Sequence, residues 1–359
     1  MKKLKTGLKH SAYTLAAIIL ALLFWPVSID PVAYETGPVL TGIPPYEHNN
    51  ALAQARLVPV DGHGPEGLAR GSDNRLYTGF HDGRIVAFDE VTGESELLAN
   101  TGGRPLAIMF DGKGNLIICD AVKGLLSLSP DRQLTVLVDG FEGVPLRFVD
   151  ALDIDRRGHI WFSDATTKFR INDTAAYTLE SKKTGRLFRY DPVSGEVKLV
   201  LDTLGFANGV ALSPDEDFVL VNETARYRVT RHWLKGPKAG TTDVFLDNLP
   251  GFPDNLTAAP NGGYWLALVQ ARDSRLDRLS DKPFLRKAVY RLMAFFGVGF
   301  EFNHSWVVKL SENGEVEMAL DAKNSNIYAV TNVVEMDGRI YLSSLTAPHI
   351  GILDIPGRN

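Results

Sequence analysis

The stretch Gly185-Arg186-Leu187-Phe188-Arg189-Tyr190-Asp191-Pro192-Val193-Ser194-Gly195-Glu196 repeats an earlier stretch of the chain, GRIVAFDEVTGE at 83–94. Both place a run of β-forming residues before an Asp and a Gly, which predicts a strand, a tight turn and the start of the next strand. An internal repeat of strands and turns indicates that the chain builds an array of similar small sheets.

A shorter pattern, a polar turn followed by an alternating apolar run, recurs along the chain. Its copies lie at 72–77, 111–116, 155–161, 213–219, 259–265 and 337–341. Strand repeats of about 40–50 residues are typical of propeller blades, so the sequence predicts an all-β, six-bladed β-propeller over 56–359. Residues 56–60 precede the first blade and could add a strand to the last blade. This pairing would close the ring and leave no exposed sheet edge.

Two blades carry long insertions, at 165–184 and 271–302. The first is polar, and the second alternates apolar residues with Arg and Lys. The second insertion is therefore predicted to form one or two basic amphipathic helices within blade five. Three roles remain open for it: packing on the rim of the propeller, a lid over the active site, or contact with anionic lipid.

The N-terminal region is predicted to be a membrane anchor. Lys2, Lys3, Lys5 and Lys9 precede an apolar run at 11–27 that is near the lower limit for crossing a bilayer. The basic residues favour a cytoplasmic stub, with residues 1–29 as stub and single transmembrane helix and the propeller on the periplasmic or extracellular/lumenal side. A cleaved signal peptide is the alternative, although no Ala-x-Ala site follows. Residues 30–55, with four prolines and no periodicity, are predicted to be an extended linker.

Composition excludes several other classes of function. The formal charge is -5, from 38 basic and 43 acidic residues, which does not favour a nucleic-acid partner. Cys119 is the single cysteine, so no intrachain disulfide can form, and its apolar neighbours predict a buried thiol. No Gly-x-Ser-x-Gly motif supports a serine hydrolase triad.

Candidate metal ligands lie where the inner strand of each predicted blade begins. The loops that lead into these strands meet at one mouth of the central channel, and polar residues interrupt apolar runs there in four blades. These residues are Glu66, Asp150, Asn208, Asp254 and Asn255. Carboxylate and amide oxygens that converge on one point favour a hard cation, Ca²⁺ first and Mg²⁺, Mn²⁺ or Zn²⁺ as alternatives. Any one of these side chains could simply cap a turn, but their equivalent blade positions favour a shared site.

Histidines give a weaker signal. The sequence has no His-x-x-x-His spacing of the kind that binds metals. His63, His304 and His349 are candidates for lining the substrate site on position alone.

The chain resembles the strictosidine-synthase-like branch of the six-bladed calcium propellers, a superfamily that also contains the gluconolactonase/regucalcin and paraoxonase branches. The resemblance rests on motifs at 64–66, 148–150, 164, 207–213, 222–224, 231–236 and 249–255. It implies that Glu66, Asn208 and Asp254 are metal ligands, that Asn255 is the additional ligand found in the paraoxonase branch, and that Asp150 replaces an Asn.

The resemblance also bears on catalysis. Plant strictosidine synthases use a glutamate in the last blade, and Thr331 stands at that position, so a condensing activity is not expected. The paraoxonase histidine dyad has no clear match. Members with an N-terminal anchor imply an arylesterase or lactonase activity.

The predicted function is therefore a membrane-tethered, metal-dependent hydrolase whose substrate is a small-molecule lactone or aryl ester, with Asp254 as ligand and catalytic base. Two alternatives stay open. One is a non-catalytic propeller that binds partners at the cell surface and holds a structural calcium ion. The other, with less support, is a lyase or condensing enzyme.

Overall fold

The computed structural model describes residues 2–357, without the side chains of residues 2–9, 11, 15 and 22. The chain divides into a helical unit (Met1–Thr36, Asn172–Lys182 and Asp273–Glu301) and a β unit (Gly37–Ile171, Lys183–Arg272 and Phe302–Asn359). The boundary between the two units follows Thr36, within the predicted linker at 30–55. Residues 30–36 group with the insertions because they hydrogen-bond to them: Asp30 N donates to Glu180 Oε2 at 2.7 Å, and Tyr34 N to Ser280 O at 3.1 Å.

The helical unit contains α1 (Lys2–Phe24), α2 (Thr174–Glu180), α3 (Ser274–Asp277) and α4 (Pro283–Phe296). Helix α4 starts with a proline at its first turn and ends at Gly297, whose φ of +64° suits a glycine C-cap. Its Arg286 is buried and donates from Nη1 to Val32 O at 2.8 Å. Both α3 and α4 lie within the 271–302 insertion of blade five.

The predicted transmembrane anchor is not confirmed. Helix α1 covers the predicted segment, but none of the helices in the described part of the chain is both long and apolar enough to cross a bilayer.

The strands of the β unit follow the predicted repeat closely. In chain order they are β1 (Arg56–Pro59), β2 (Leu68–Arg70), β3 (Leu76–Gly79), β4 (Arg84–Phe88), β5 (Ser95–Asn100), β6 (Pro105–Phe110), β7 (Leu116–Asp120), β8 (Gly124–Leu128), β9 (Leu134–Val138), β10 (Gly140–Phe141), β11 (Val144–Pro145), β12 (Val149–Ile154), β13 (Ile160–Asp164), β14 (Gly185–Tyr190), β15 (Val197–Leu204), β16 (Ala207–Leu212), β17 (Phe218–Glu223), β18 (Arg228–Trp233), β19 (Thr242–Leu246), β20 (Gly251–Ala258), β21 (Tyr264–Ala271), β22 (His304–Leu310), β23 (Val316–Lys323), β24 (Val330–Met336), β25 (Arg339–Ser344) and β26 (His349–Asp354).

These strands form a six-bladed β-propeller, as predicted. The blades, each in sheet order, are β2-β3-β4-β5, β6-β7-β8-β9, β12-β13-β14-β15, β16-β17-β18-β19, β20-β21-β22-β23 and β24-β25-β26-β1, and a small hairpin, β10-β11, lies between blades two and three. The first strand of each blade contacts the first strand of the next, and β24 contacts β2, so these inner strands make a closed ring.

The ring is closed by pairing the two ends of the β unit. Strand β1 adds to blade six in antiparallel register, with Arg56 opposite Ile352 and Pro59 opposite His349. The predicted closing strand is therefore confirmed. Closure satisfies the backbone groups that an open edge would expose.

The hydrophobic core lies between neighbouring blades rather than at one centre. Each cluster of buried side chains joins two adjacent sheets; one packs Ala211 and Leu220 of blade four against Tyr264 and Trp306 of blade five. Full burial of side chains this large contributes about 1.5–3 kcal/mol each, which explains why the alternating apolar runs dominate the sequence. Cys119 lies in the layer between blades two and three, and burial raises the pKa of its thiol well above the usual value. It is a core residue, as predicted.

Candidate active site

The five predicted oxygen ligands, and Thr331 with them, belong to the inner strands or to the loops just before them. Asp150, Asn208 and Thr331 are each the second residue of an inner strand, in blades three, four and six. Asp254 and Asn255 lie within β20 of blade five, and Glu66 precedes β2 of blade one by two residues. All six side chains are buried, with at most 7% of each residue exposed.

Irregular pairing marks the site in four blades. The register between first and second strands shifts at Val149/Leu152, Ala207/Val210, Pro253/Leu256 and Val330/Asn332, which brackets Asp150, Asn208, Asp254 with Asn255, and Thr331. A bulge places an extra residue in one strand and re-aims its side chain. The ligand positions therefore depart from the in-out alternation of their strands, which the sequence pattern could not reveal.

The three carboxyl groups interact strongly. Burial raises the pKa of Glu66 to about 7, although the charge and hydrogen bond of Arg104 oppose the increase. The pKa of Asp254 is raised well above its usual value by burial, then by the charges of Glu66 and Asp150. The pKa of Asp150 is likewise raised by burial and by Glu66. In the absence of a cation, the site favours protonated carboxyl groups.

Two oxygens of the site fit a cation. Asp150 Oδ1 and Asn208 Oδ1 are buried and accept no hydrogen bond from the described residues. The Asn208 amide hydrogen-bonds to Asp254, and Asn255 Nδ2 donates to Asp254 Oδ1 at 3.2 Å. Buried acceptors without donors are costly, and an oxygen-only donor set suits Ca²⁺, Mg²⁺ or Mn²⁺ better than Zn²⁺.

The three carboxylates are close enough to influence one another but do not form a tight cluster. The charge of Glu66 raises the pKa values of both Asp150 and Asp254. In the described part of the chain, the three do not form a trio with all ligand oxygens within 4.8 Å of one another.

Arg104 is a site residue that the sequence analysis missed. It stands immediately before β6, the inner strand of blade two, and is 2% exposed. Its Nη2 donates to Glu66 Oε2 at 2.6 Å, and its Nη1 to Gly64 O at 2.8 Å. The sequence does contain a signal for this residue. Arg104 precedes the apolar run of an inner strand, at the position where the other blades carry candidate oxygen ligands. A cationic side chain is not expected among candidate metal ligands, so only oxygen donors stood out at these positions.

A second set of carboxylates orients the loops of the site. Asp120, Asp164 and Glu223 each end the second strand of their blade and accept a backbone N–H from the loop that leads into the inner strand. The donors are Arg104 N at 3.0 Å, Phe148 N at 2.9 Å and Gly205 N at 2.7 Å, respectively.

Side chains of blade four also hydrogen-bond to the backbone of β20 around Asp254. Asn222 Nδ2 donates to Asp254 O at 2.5 Å, and Thr224 Oγ1 to Pro253 O at 2.6 Å. These hydrogen bonds leave the side chain of Asp254 free to serve the site while its backbone is held in place.

Gly209 is expected to be essential for this close approach of blades four and five. A Cβ at this position would lie 2.5 Å from Leu256 N and 2.6 Å from Asp254 O, both backbone atoms. Gly209→Ala should therefore lower the free energy of unfolding by about 1–3 kcal/mol and weaken Ca²⁺ binding. Urea unfolding and Ca²⁺ titration measure both effects. Gly112→Ala is the matched control, since a Cβ there meets nothing within 4 Å; equal losses in both variants would contradict the account.

Of the three candidate histidines, His63 lies at the margin of the oxygen site, and His304 and His349 lie away from it. His63 is exposed, in the loop that leads to Glu66, and its backbone O accepts from His81 N. His304 starts β22, the third strand of blade five, and contacts Asp321. His349 starts β26, the third strand of blade six, with Nε2 2.8 Å from Asn326 O. His304 and His349 are therefore two strands away from the inner ring and are not brought to the oxygen ligands.

Sequence comparisons identify the family of the chain. Residues 150–237 match the sequence model of strictosidine synthase, and residues 44–88 match that of the strictosidine synthase-like N-terminal region. The chain is 36% identical to the adipocyte plasma membrane-associated protein of Bos taurus over 356 residues, which cover 92% of this chain and 85% of that protein. It is 37% identical to strictosidine synthase-like 10 of Arabidopsis thaliana, with 85% and 89% covered.

The chain belongs to the strictosidine-synthase-like family. The predicted family resemblance is thus confirmed. Solved structures that share the fold of this strictosidine-synthase-like chain include a gluconolactonase of Xanthomonas campestris, with TM-score 0.61 and 17% identity over 92% of this chain and 97% of that one. The calcium-binding protein regucalcin of Agrobacterium tumefaciens gives TM-score 0.59 and 13% identity over 84% and 93%. At such identities the likeness concerns the fold alone.

Proposed function

We propose that this strictosidine-synthase-like propeller is a metal-dependent hydrolase of lactones or aryl esters, with Ca²⁺ as the preferred ion. The observation that carries the proposal is a buried group of oxygens at the mouth of the channel, in which Asp150 Oδ1 and Asn208 Oδ1 accept no hydrogen bond from described residues. The shared fold with a gluconolactonase and with a calcium-binding regucalcin supports it.

The ion would be held by Glu66, Asp150, Asn208, Asp254 and Asn255, whose donors are all oxygens. A bound divalent ion supplies a Lewis acid that polarises an ester carbonyl. Arg104 neutralises part of the negative charge through Glu66. The remaining carboxylates, Asp150 and Asp254, would then carry most of the charge that attracts the ion.

Asp254 is the residue best suited to accept a proton during hydrolysis. Hydrogen bonds from the Asn208 and Asn255 amides fix its orientation, and its carboxylate, once it has lost its own proton, can accept one from water. In the reaction, the oxygen of water bonds to the acyl carbon, the acyl C–O bond breaks, and the proton from water moves through Asp254 to the leaving oxygen. For a lactone the leaving oxygen stays on the product.

Thr331 distinguishes this proposal from a condensing enzyme. Its hydroxyl is fully buried on β24 and contacts no hydrogen-bond partner in the described part of the protein. A hydroxyl cannot act as the glutamate base of a synthase at neutral pH, but it can donate a hydrogen bond to a substrate oxygen.

Hydrolysis by the full-length chain tests the proposal. A panel of lactones and aryl esters should be hydrolysed after Ca²⁺ is added and not after treatment with chelator. No hydrolysis of any member, together with tight Ca²⁺ binding, would instead favour the non-catalytic binding propeller.

Ca²⁺ is expected to stabilise the chain more as pH rises. The pKa values of Glu66, Asp150 and Asp254 are raised in the folded, metal-free chain, so these groups favour folding while protonated, and that stability is lost as pH rises through their folded pKa values. A bound Ca²⁺ would replace these protons and remove the free-energy cost of burying the charged carboxylates together. The shift in Tm on adding Ca²⁺ should therefore be larger at about pH 8 than at about pH 5. An equal shift at both values would contradict the proposed ligand set.

We further propose that the chain associates with a membrane through its helical unit. The name of the 36% identical relative refers to the plasma membrane. Helices α1 and α4 contact each other, and the exposed apolar residues on them and just after α1 include Phe24, Trp25, Phe295 and Phe296. An exposed apolar surface of this kind favours a lipid interface.

Replacing Phe295 and Phe296 by Glu is expected to weaken vesicle binding at least about tenfold, because each Phe would lose an apolar burial of about 1.5–3 kcal/mol. Co-sedimentation with anionic lipid vesicles measures the loss. Val91→Glu with Val193→Glu is the matched control, since both valines are more than 85% exposed on the propeller. Equal binding by both double variants would exclude α4 from the contact.

A further inference from the structure

A second candidate metal centre lies in the outer part of blade five. Among the described residues, His48, His304 and Asp321 form a group whose ligand atoms all lie within 4.8 Å of one another. His48 Nδ1 is 2.9 Å and His304 Nε2 is 3.0 Å from the same oxygen, Asp321 Oδ2. His304 and Asp321 are buried, whereas the side chain of His48 is 48% exposed.

We propose that these three side chains bind one divalent transition-metal ion, of the Zn²⁺ class, which fastens the segment before β1 to blade five. Two imidazole nitrogens and one carboxylate oxygen are the donor set that such ions take up, with open positions left for water. This donor set differs from the oxygen-only set at the channel mouth, so the two centres should select different ions.

The present geometry is close to that of a metal site. Two ligands of a tetrahedral ion with bonds of about 2.0–2.1 Å lie roughly 3.3 Å apart. The observed distances of 2.9 and 3.0 Å need to widen by only a few tenths of an ångström. Each imidazole must also carry its proton on the nitrogen that faces away from Asp321, a tautomer change that costs little.

The carboxylate is already oriented for binding. Asp321 Oδ1 accepts the backbone N–H groups of Asn49 at 2.8 Å and Asn50 at 2.6 Å, which leaves Oδ2 to face both histidines.

An aromatic wall shields the inner side of the cluster. The ring of Trp306 lies 5.5 Å from that of His304 and 5.6 Å from that of His48, and Tyr46 packs edge-on against Trp306 at 6.2 Å. The half-exposed His48 leaves the other side open to solvent, so ions can enter. An apolar shell on one side and water on the other is the usual setting of an accessible metal site.

The position of the cluster indicates what the ion would stabilise. His48 belongs to the β unit and precedes β1, the strand that closes the ring by pairing with β26. His304 and Asp321 belong to β22 and β23, the outer strands of blade five. A bound ion would therefore hold the closing segment against a neighbouring blade and oppose opening of the ring.

The test is metal binding by tag-free, full-length protein in saturating Ca²⁺, which fills the channel site. Co²⁺ is expected to bind with one equivalent per chain and to give visible d–d absorption typical of nitrogen ligands, and Zn²⁺ is expected to displace it and raise Tm. His48→Gln should abolish the Co²⁺ spectrum, or weaken binding at least about tenfold, while the metal-free protein remains folded. His349→Gln, at an unrelated histidine, should retain the spectrum.

The proposal would be overturned by no Co²⁺ absorption, by an unchanged spectrum in His48→Gln, or by a spectrum that is lost equally in His349→Gln. His304→Gln and Asp321→Asn should behave like His48→Gln, and if their buried sites prevent folding, the exposed His48 carries the test alone. Asp254→Asn, which alters the channel site, should keep the Co²⁺ spectrum. Loss of the spectrum in that variant would place the ion at the channel and count against the proposal.

Discussion

Asp254→Asn is expected to lower kcat by ~10²–10⁴ and to stay inactive at saturating Ca²⁺, because the amide keeps an oxygen of nearly the same shape but cannot accept a proton. The inner strand β20 places Asp254 among buried acids and amides, where its pKa is raised well above the usual value. Steady-state hydrolysis at increasing Ca²⁺ separates loss of the base from loss of the ion.

Asp150→Asn is the matched control for this variant. It removes a carboxylate from the same site and keeps a side-chain oxygen. Activity should fall at low Ca²⁺ and recover as Ca²⁺ is raised. Equal recovery of both variants would reduce Asp254 to a ligand, and the base would have to be sought at His63, the remaining histidine candidate beside the channel loops.

Glu66→Gln is a poorer control for Asp254→Asn than Asp150→Asn is. The Glu66 carboxylate pairs with Arg104 at 2.6 Å, and both side chains are nearly inaccessible to solvent. Neutralising Glu66 would leave a buried guanidinium unpaired, so the variant would lose stability as well as metal affinity. Glu66 therefore contributes both to the candidate metal site and, through its ion pair with Arg104, to the stability of the fold.

Arg104→Met is expected to lower the free energy of unfolding of the metal-free chain by about 3–5 kcal/mol, because it leaves Glu66 as an uncompensated buried charge. Two conditions should reduce the loss. Ca²⁺ supplies a replacement positive charge, and low pH protonates Glu66, whose pKa is about 7 even with Arg104 present. Urea unfolding with and without Ca²⁺, on both sides of neutral pH, measures each effect.

Arg75→Met is the matched control for Arg104→Met. Arg75 pairs with Asp73 at 2.7 Å and with Glu96 at 2.8 Å, but these side chains are 33–39% exposed, so the loss should stay below about 1 kcal/mol. Glu66→Gln added to Arg104→Met should recover part of the stability, since both charges are then absent. If Arg104→Met lowers the free energy of unfolding no more than Arg75→Met does, the buried pair of Arg104 and Glu66 does not govern the charge of the site.

Much of the fold could be predicted because propeller blades repeat. Turn chemistry and alternating apolar runs recur with the period of a blade, so the number of blades and the closing strand β1 follow from the sequence. The same regularity located Asp150, Asn208 and Asp254, since polar residues at the start of inner strands interrupt otherwise apolar runs. The register shifts that aim them depend on pairing with the second strand, and a single strand's sequence does not encode this pairing.

The errors have equally physical causes. His304 and His349 begin third strands, and their distance from the channel depends on the order of strands within a blade rather than on sequence position. Arg104 was missed because a cation at a metal site is unexpected until its ion pair with Glu66 is known.

Hydrolysis is expected to depend on an ion held by the oxygens at the channel mouth. The most direct test measures bound Ca²⁺ per chain and the rate of lactone and aryl-ester hydrolysis in the same samples, during titration of chelated full-length protein. Activity should rise in proportion to the Ca²⁺ bound, reach its limit near one equivalent, and be absent from Asp254→Asn at the same occupancy. Full hydrolysis by protein without bound divalent ions would contradict this dependence.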